Sequence, residues 1–546
     1  MQSAKSIKDI TEYLTSDDAM IDRIGLFLLI VRNDPLDSSS YGLTIASTPL
    51  SLDDADEYAS LTENGKRIKK AEEEKVAYML GRIGMQDDEA KAVIEGAQAF
   101  ETTIAGSMMG TMASNDPDSL EKTLNRVTLD DIKKIEGDVP LTAFMEKYGY
   151  AKSDKIILLE PDWLKGLASA YTEDNVESIK AYILSSLARN YIDRTDEEAF
   201  REYQRISNEK SGLTESQPDE ELAYTEAKEL FPYCFDRLYV DKYVTESMRG
   251  EIRGFCEESI DSYREMLSQI DWMSDETKKE AINKLDHIAI HAVYPDKWED
   301  DSVYDIKSKE DGGSYLMAQQ AFSRGMLEKD IAKINTKVDR DIWDVDILEA
   351  NAFYNPANNS INIIPGYFCD VTYREDMSVE EKYGAIGSVI GHEISHAFDT
   401  SGSQYDADGN VFDWWAPKDK EEFRKRAKKL VDYFDNVVAF DDGTPYSGQM
   451  VQTEAIADIA GLKCMLTLAK KVDGFDYDKF FRANAKLWAR VYTVEKCEEA
   501  VLTDTHPIHY LRTNVTLPQF DEFIETYDIK EGDGMYFAPE DRIAVW

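Results

Sequence analysis

Histidine is scarce in this chain, 6 residues in 546, and two of the six stand four apart in the run His392-Glu393-Ile394-Ser395-His396. On a helix, positions i and i+4 project from one face. Both imidazoles can then share one metal ion, with the glutamate between them beside that ion but not ligating it. A zinc-bound water needs a base to become a nucleophile, and Glu393 is that base. Ile386, Val389 and Ile390 recur ahead of the motif at helical spacing. Gly387 and Gly391 weaken the helix without breaking it. HExxH also turns up on ordinary surface helices, so a third ligand is the next requirement.

Catalytic zinc keeps three protein ligands and one open position. Gln452 to Leu462 reads as a second helix, with Ile456, Ile459, Ala460 and Met465 on or near one stripe. Glu454 and Asp458 stand four residues apart there, so their carboxylates face the same way. Glu454 is the expected third ligand, 58 residues after the second histidine (454 minus 396). Asp458 would accept a hydrogen bond from the far ring nitrogen of a ligating histidine and fix its tautomer. A solvated acidic face is the plainer reading in a chain with 107 Asp+Glu. It fits poorly, because Ala455 to Leu462 is otherwise small and apolar, and acids in such a helix need a partner.

These residues resemble the neprilysin and endothelin-converting-enzyme family of zinc endopeptidases, which includes bacterial oligopeptidases. The likeness rests on His392 to Asp399 (HEISHAFD), the Glu454–Asp458 pair and Asn351-Ala352-Phe353-Tyr354-Asn355-Pro356. Asp413-Trp414-Trp415, Asp504-Thr505-His506, Arg512 and the ending Arg542-Ile543-Ala544-Val545-Trp546 extend it. Upstream, Leu238-Tyr239-Val240, Asp271 to Ser274 and Tyr294 to Trp298 fit the same pattern, and the match runs from about Asn125 to Trp546.

The resemblance implies a role for each matching residue. His392, His396 and Glu454 hold one zinc ion per chain, and Glu393 takes the proton from its water. His506 stabilises the transition state, with Asp504 orienting it. Asn351 and the Ala352 backbone bind an extended peptide by strand addition. Arg512 grips a substrate carbonyl beyond the cleaved bond, and Val389, Leu487 and Trp488 line an apolar pocket there. Asp399 supports the site from behind the ligands or caps a chain end. Read alone, His506 is an isolated loop histidine close to His509, and Val389 and Trp488 are core residues. Asp406, Asp408 and Asn410 around Gly409 hint at a cation loop, but without a closing glutamate a tight turn is the better reading.

The elements that must position these residues are mostly helical. Leu129 to Ile135, Ile179 to Ala188 and Glu276 to Leu285 carry helical periodicity with start signals nearby. Polar loops are expected from about Asn208 to Asp219 and from Trp298 to Gly313. Val345 to Pro365 turns β-like and puts the Asn351 motif on an edge strand beside the HExxH helix. The resemblance implies a mainly α, two-lobed zincin with a small β component. A thermolysin-like catalytic domain (331–546) and a helical lid lobe (1–330) would enclose a cavity that admits peptides and excludes folded proteins.

Composition sets the outer limits. The chain is 42% hydrophobic and 31% charged, enough for a large core, and carries a net charge of −45 from 62 Lys+Arg against 107 Asp+Glu. That charge speaks against nucleic acid and anionic lipid as partners. Five scattered cysteines form no metal or disulfide pattern, unlike the animal members of the family, and point to a bacterial-type member. Relative to the family pattern the chain begins part-way into the first lobe, near Met1 to Tyr41. The apolar run Ile24 to Val31 has strand length, far below the roughly 20 residues of a membrane span. With no leader visible, the reading is bacterial cytoplasmic, or exported if an upstream signal has been removed. The expected activity is cleavage of short peptides before bulky apolar residues. The alternative is a peptide-binding protein that keeps fold and zinc but has lost turnover. The mark of that loss would be a missing ligand or base, and none of His392, Glu393, His396, Glu454 or His506 is missing.

Overall fold

The computed structural model describes residues 1–21, 25–343, 345–440, 443, 446–543 and 545, with backbone only at 20 and 21. Ile24, Ala544 and Trp546, named above, lie outside the described residues. Among the described residues the chain is mainly helical, with two small sheets. In the first lobe, β1 (Leu28–Asp34) and β2 (Asp37–Ala46) form an antiparallel hairpin, so the second half of the apolar run, Leu28 to Val31, is strand, whereas Gly25 to Phe27 precede it as irregular chain. β3 (Asn125–Val127) and β4 (Ile156–Leu158) complete a sheet of order β1-β2-β4-β3, with β2 and β4 parallel. No helix among the described residues is long and apolar enough to cross a membrane.

The periodic segments are helices with the caps their sequences provide. Thr128 and Asp131 make a reciprocal capping box on helix Leu129–Ile135, and Ser274 caps helix Asp275–Asp286. Helix Val176–Tyr191 contains the predicted 179–188 stretch. One helix ends at Lys210 and the next starts at Asp219, bracketing the first polar loop.

Among the described residues two large hydrophobic cores follow, with three smaller clusters beside them. The first gathers Ile10, Leu43, Ile156, Trp163 and Tyr182. The second runs from Ile252 to Val545 and encloses the HExxH region. The chain crosses between them more than once. Helix Glu246–Gln269 packs in the second core, whereas Leu327, Ile331 and Ile334, in and after helix Tyr315–Lys333, return to the first. Between the lobes lie cavities of about 530 and 400 Å³, both lined by Asp116, Pro117, Leu124, Thr400 and Gln404.

Three features position the site. A second sheet of order β5-β7-β6 joins β5 (Ala289–Ala292), β6 (Ala352–Asn355) and β7 (Ser360–Ile363), leaving β6 as an edge strand against the HExxH helix. Lys284, almost fully buried, donates from Nζ to the carbonyls of Gly402 and Tyr405 at 2.7 Å each. It thereby ties down the loop after His396, and burial pushes its pKa down to about 7. The Asp406–Asn410 segment in that loop is a tight turn: Gly409 has φ +88° and Asp406 Oδ1 accepts from the Asp408 and Asn410 backbones.

The third feature is a backbone contact. Residues 379–395 form one continuous helix with a π-helical turn at Tyr383–Gly387; His392 to Ser395 occupy its last part, Ser388–Ser395, and His396 is its C-cap, still with helical backbone angles. This His helix crosses the Glu helix, Gly448–Ala469, at Gly391 and Gly461. A Cβ on Gly461 would lie 2.6 Å from both the His392 nitrogen and the Ser388 oxygen. One on Gly391 would lie 2.9 Å from the Gly461 Cα and carbonyl oxygen. Of the two glycines that weaken the His helix, Gly391 meets Gly461 of the Glu helix, and a Cβ on Gly387 would come 2.6 Å from Met465 Sδ of that same helix.

Gly461→Ala should therefore cost about 1–3 kcal/mol by overpacking and lower both the thermal midpoint and the zinc content. Gly250→Ala is the internal control, since a Cβ there meets nothing within 4 Å. It should gain roughly 0.5–1 kcal/mol from helix propensity alone. Paired melting curves would check both signs.

Candidate metal centre

The His and Glu helices bring His392, His396 and Glu454 to one point. His392 Nε2 lies 3.1 Å from Glu454 Oε2 and 3.0 Å from His396 Nε2, and His396 Nε2 lies 3.4 Å from the same carboxylate oxygen. Both imidazoles are anchored from behind. His392 Nδ1 faces Asp458 Oδ1 at 2.9 Å, and His396 Nδ1 faces Asp399 Oδ2 at 2.5 Å. Asp399 is itself fixed, its Oδ1 accepting from the Ser401 and Gly402 backbones at 2.7 Å.

This arrangement fits a zinc ion. In the neutral form that binds metal, with each Nδ1–H donated to a carboxylate, both rings would turn an accepting Nε2 toward a third acceptor, Glu454. Three acceptors at these separations repel one another unless a cation lies among them. A tetrahedral ion with bonds of about 2.0–2.1 Å holds its donors roughly 3.3 Å apart, the spacing seen here. A Glu393 oxygen lies within 4.8 Å of both histidine ring nitrogens.

His506 approaches from the other side. Its Nε2 is 3.1 Å from Glu454 Oε2, and its Nδ1 and backbone nitrogen both lie 2.8 Å from Asp504 Oδ1. Burial alone would lower its pKa, but the bonds to Asp504 and Glu454 win and raise it to about 9. Burial likewise opposes the charge on Glu454, yet His396, His392 and His506 hold its carboxyl well below the usual range. Burial pushes the Glu393 carboxyl up, only partly offset by the two histidines.

Arg512 lies deeper than the sequence implied. It is buried, and its Nε and Nη2 donate to Asp458 Oδ2 and Oδ1 at 2.9 and 2.6 Å, leaving Nη1 outside that pair. Its guanidinium lies 3.5 Å from the centre of the Trp488 ring. Asp458 is thus held between Arg512 and His392, and its pKa drops to about 2: burial raises it, but the Arg512 charge and the His392 bond outweigh that. Val389 is buried one turn before His392, and Leu487 is buried at the end of helix Tyr477–Leu487. Asn351 is exposed at the start of β6, and its Oδ1 accepts from the Ala352 nitrogen at 2.9 Å.

Two features were not visible in the sequence. Tyr367, in the turn after β7, has a hydroxyl pushed up to about 12 by burial, with the charges of Arg512, Glu393 and Arg490 acting on it. Only its place after Pro365-Gly366 could have drawn attention to it. His509 stacks on Tyr492 at 5.4 Å and on Trp488 at 6.4 Å, so it is part of a wall and distinct from His506.

Fold and donor set describe a two-lobed zinc metallopeptidase. Models of peptidase family M13 match residues 2–295 and 351–543, and the chain belongs to that family. The neutral endopeptidase of Lactococcus lactis subsp. lactis is 27% identical over 520 residues, covering 95% of this chain and 81% of that protein. The neutral endopeptidase of Lactobacillus helveticus is 28% identical over 489 residues, 89% of this chain and 74% of that one. Among solved structures, PepO from Lactobacillus rhamnosis matches with a TM-score of 0.91 at 23% identity, over 98% of this chain and 84% of that chain. The Mycobacterium tuberculosis zinc metalloprotease Zmp1 in complex with inhibitor gives 0.90 at 23% identity, over 100% and 84%. The same enzyme in its open state gives 0.69 at 23% identity, over 100% and 86%.

Asp458→Ala should lower zinc affinity about 10- to 100-fold, because His392 loses the carboxylate that fixes its tautomer. Titration with a competing chelator measures the change. An unaltered affinity would remove Asp458 from the site.

Proposed function

We propose that this chain is an endopeptidase for short peptides, cleaving on the amino side of bulky apolar residues with one zinc ion per chain. The observation that carries this reading is the meeting of His392, His396 and Glu454 at 3.0–3.4 Å with Glu393 beside them. When bound, zinc lowers the pKa of a water and polarises the scissile carbonyl.

The chain's own residues supply the rest. Glu393 accepts the proton of the attacking water and passes it to the leaving amine, a shuttle suited to its raised pKa. His506, kept protonated by Asp504, donates a hydrogen bond to the carbonyl oxygen as negative charge builds there. Its present contact with Glu454 is the bond it would exchange. The open edge of β6, with Asn351 and Ala352, takes the peptide as an added strand. Arg512 uses Nη1 on a substrate carbonyl while its other two nitrogens hold Asp458. Val389, Leu487 and Trp488 give the pocket its apolar wall, which is why a large hydrophobic residue is expected after the cleaved bond.

Cleavage of a quenched fluorescent peptide with Phe or Leu after the scissile bond tests the proposal. Glu393→Gln should lower kcat by at least about 100-fold, the scale of general-base loss, without releasing zinc. Chelation should abolish activity, and added zinc should restore it. Retained turnover in Glu393→Gln would sink the assignment of the base.

A further inference from the structure

Helix Val494–Thr503 runs from a contact with the first lobe to the holder of His506. At its start, Thr493 caps the helix by accepting from the Lys496 nitrogen, and the same hydroxyl donates to the Ser211 carbonyl of the first lobe at 2.7 Å. One turn on, Arg67, from helix Glu63–Arg82, pairs through Nη1 with Glu498 Oε2 at 2.6 Å. Its Nη2 reaches the Glu495 carbonyl at 3.4 Å. Gly212, with φ +69°, lies so close that a Cβ would come within 2.1 Å of Glu495 Oε2. Three separate contacts therefore hold the first turns of one catalytic-lobe helix against the other lobe.

The far end of that helix is the active site. Asp504 closes it, its backbone nitrogen bonding the Ala500 carbonyl at 2.9 Å, and its side chain holds both His506 Nδ1 and the His506 backbone. A second arm leaves the same contact. Tyr492, next to Thr493, lies 2.6 Å from His509 Nε2 through its hydroxyl. From there the stack of His509, Trp488 and Arg512 leads to Asp458 and His392.

We infer that Arg67, with Ser211 and Gly212, is a positioning residue for His506, latching helix Val494–Thr503 so that the site is complete only when the lobes are closed. The inference rests on the peptidase reading. A chain that props the lobes apart leaves the latch unmade and His506 unseated, and is bound without being cut. The latch suits a reversible device, because Arg67 and Glu498 are only partly buried, and such pairs are weak enough to break on opening.

Charge reversal tests it. Arg67→Glu and Glu498→Arg are made singly and together in the full, zinc-loaded chain, with Glu498→Gln as a milder variant. Each single reversal should lower kcat on a short quenched peptide about tenfold, the cost of a misplaced group, with KM within about twofold and zinc content unchanged. Small-angle scattering should show a larger radius of gyration in the singles. The double reversal should restore both kcat and the compact form. Full kcat in a single variant whose scattering shows open lobes would overturn the latch, as would a compact double reversal that stays slow. If wild type itself cuts nothing, the peptidase reading fails, while scattering still reports whether Arg67 and Glu498 hold the lobes together.

Discussion

The site depends on two helix backbones touching at Gly391 and Gly461. The His helix contributes His392, Glu393 and, at its cap, His396, and the Glu helix contributes Glu454 and the Asp458 carboxylate behind His392. Side chains of these lengths meet at one point only if the helices approach more closely than any Cβ would permit. The energetic consequence is a site built on rigid elements, where a small shift of one helix moves several donors together.

Around that contact, charge is organised in layers. Glu454 faces three imidazoles, and Asp458 and Asp399 brace two of them from behind. Arg512 balances Asp458, and the Lys284 amine ties down the loop that carries Asp399. A buried carboxylate is costly without such partners, and here each buried acid of the donor set has one. The net charge of −45 does not reach into this arrangement as free negative charge. It is carried largely by the surface.

Much of this was legible in the sequence, for physical reasons. The i, i+4 spacing of His392 and His396, and of Glu454 and Asp458, survives into structure because helix geometry fixes it. Acids in an apolar helix announced a partner, and the partner is His392. Of the β-like stretch expected over 345–365, with Ile361, Ile363 and Ile364 ahead of Pro365-Gly366, only 352–355 and 360–363 are strand, and 345–351 is turn and irregular chain. What could not be read was everything that depends on tertiary approach. Gly391 looked like a flaw in a helix and is a contact surface. Arg512 was expected to grip a substrate carbonyl, and its pairing with Asp458 through two nitrogens had no sign in the sequence. Lys284 and Arg67 carry no local signal at all, since one acts through burial and the other across lobes more than 400 residues apart in sequence (498 minus 67).

The central claim is that His392, His396 and Glu454, and not His506, hold a single zinc ion. X-ray absorption at the zinc edge, on protein loaded to a measured stoichiometry, tests it most directly. One zinc per chain with two imidazole nitrogens and oxygen donors, all at about 2.0–2.2 Å, is the predicted result. A third imidazole in the shell, a sulfur donor, or a stoichiometry other than one would contradict it.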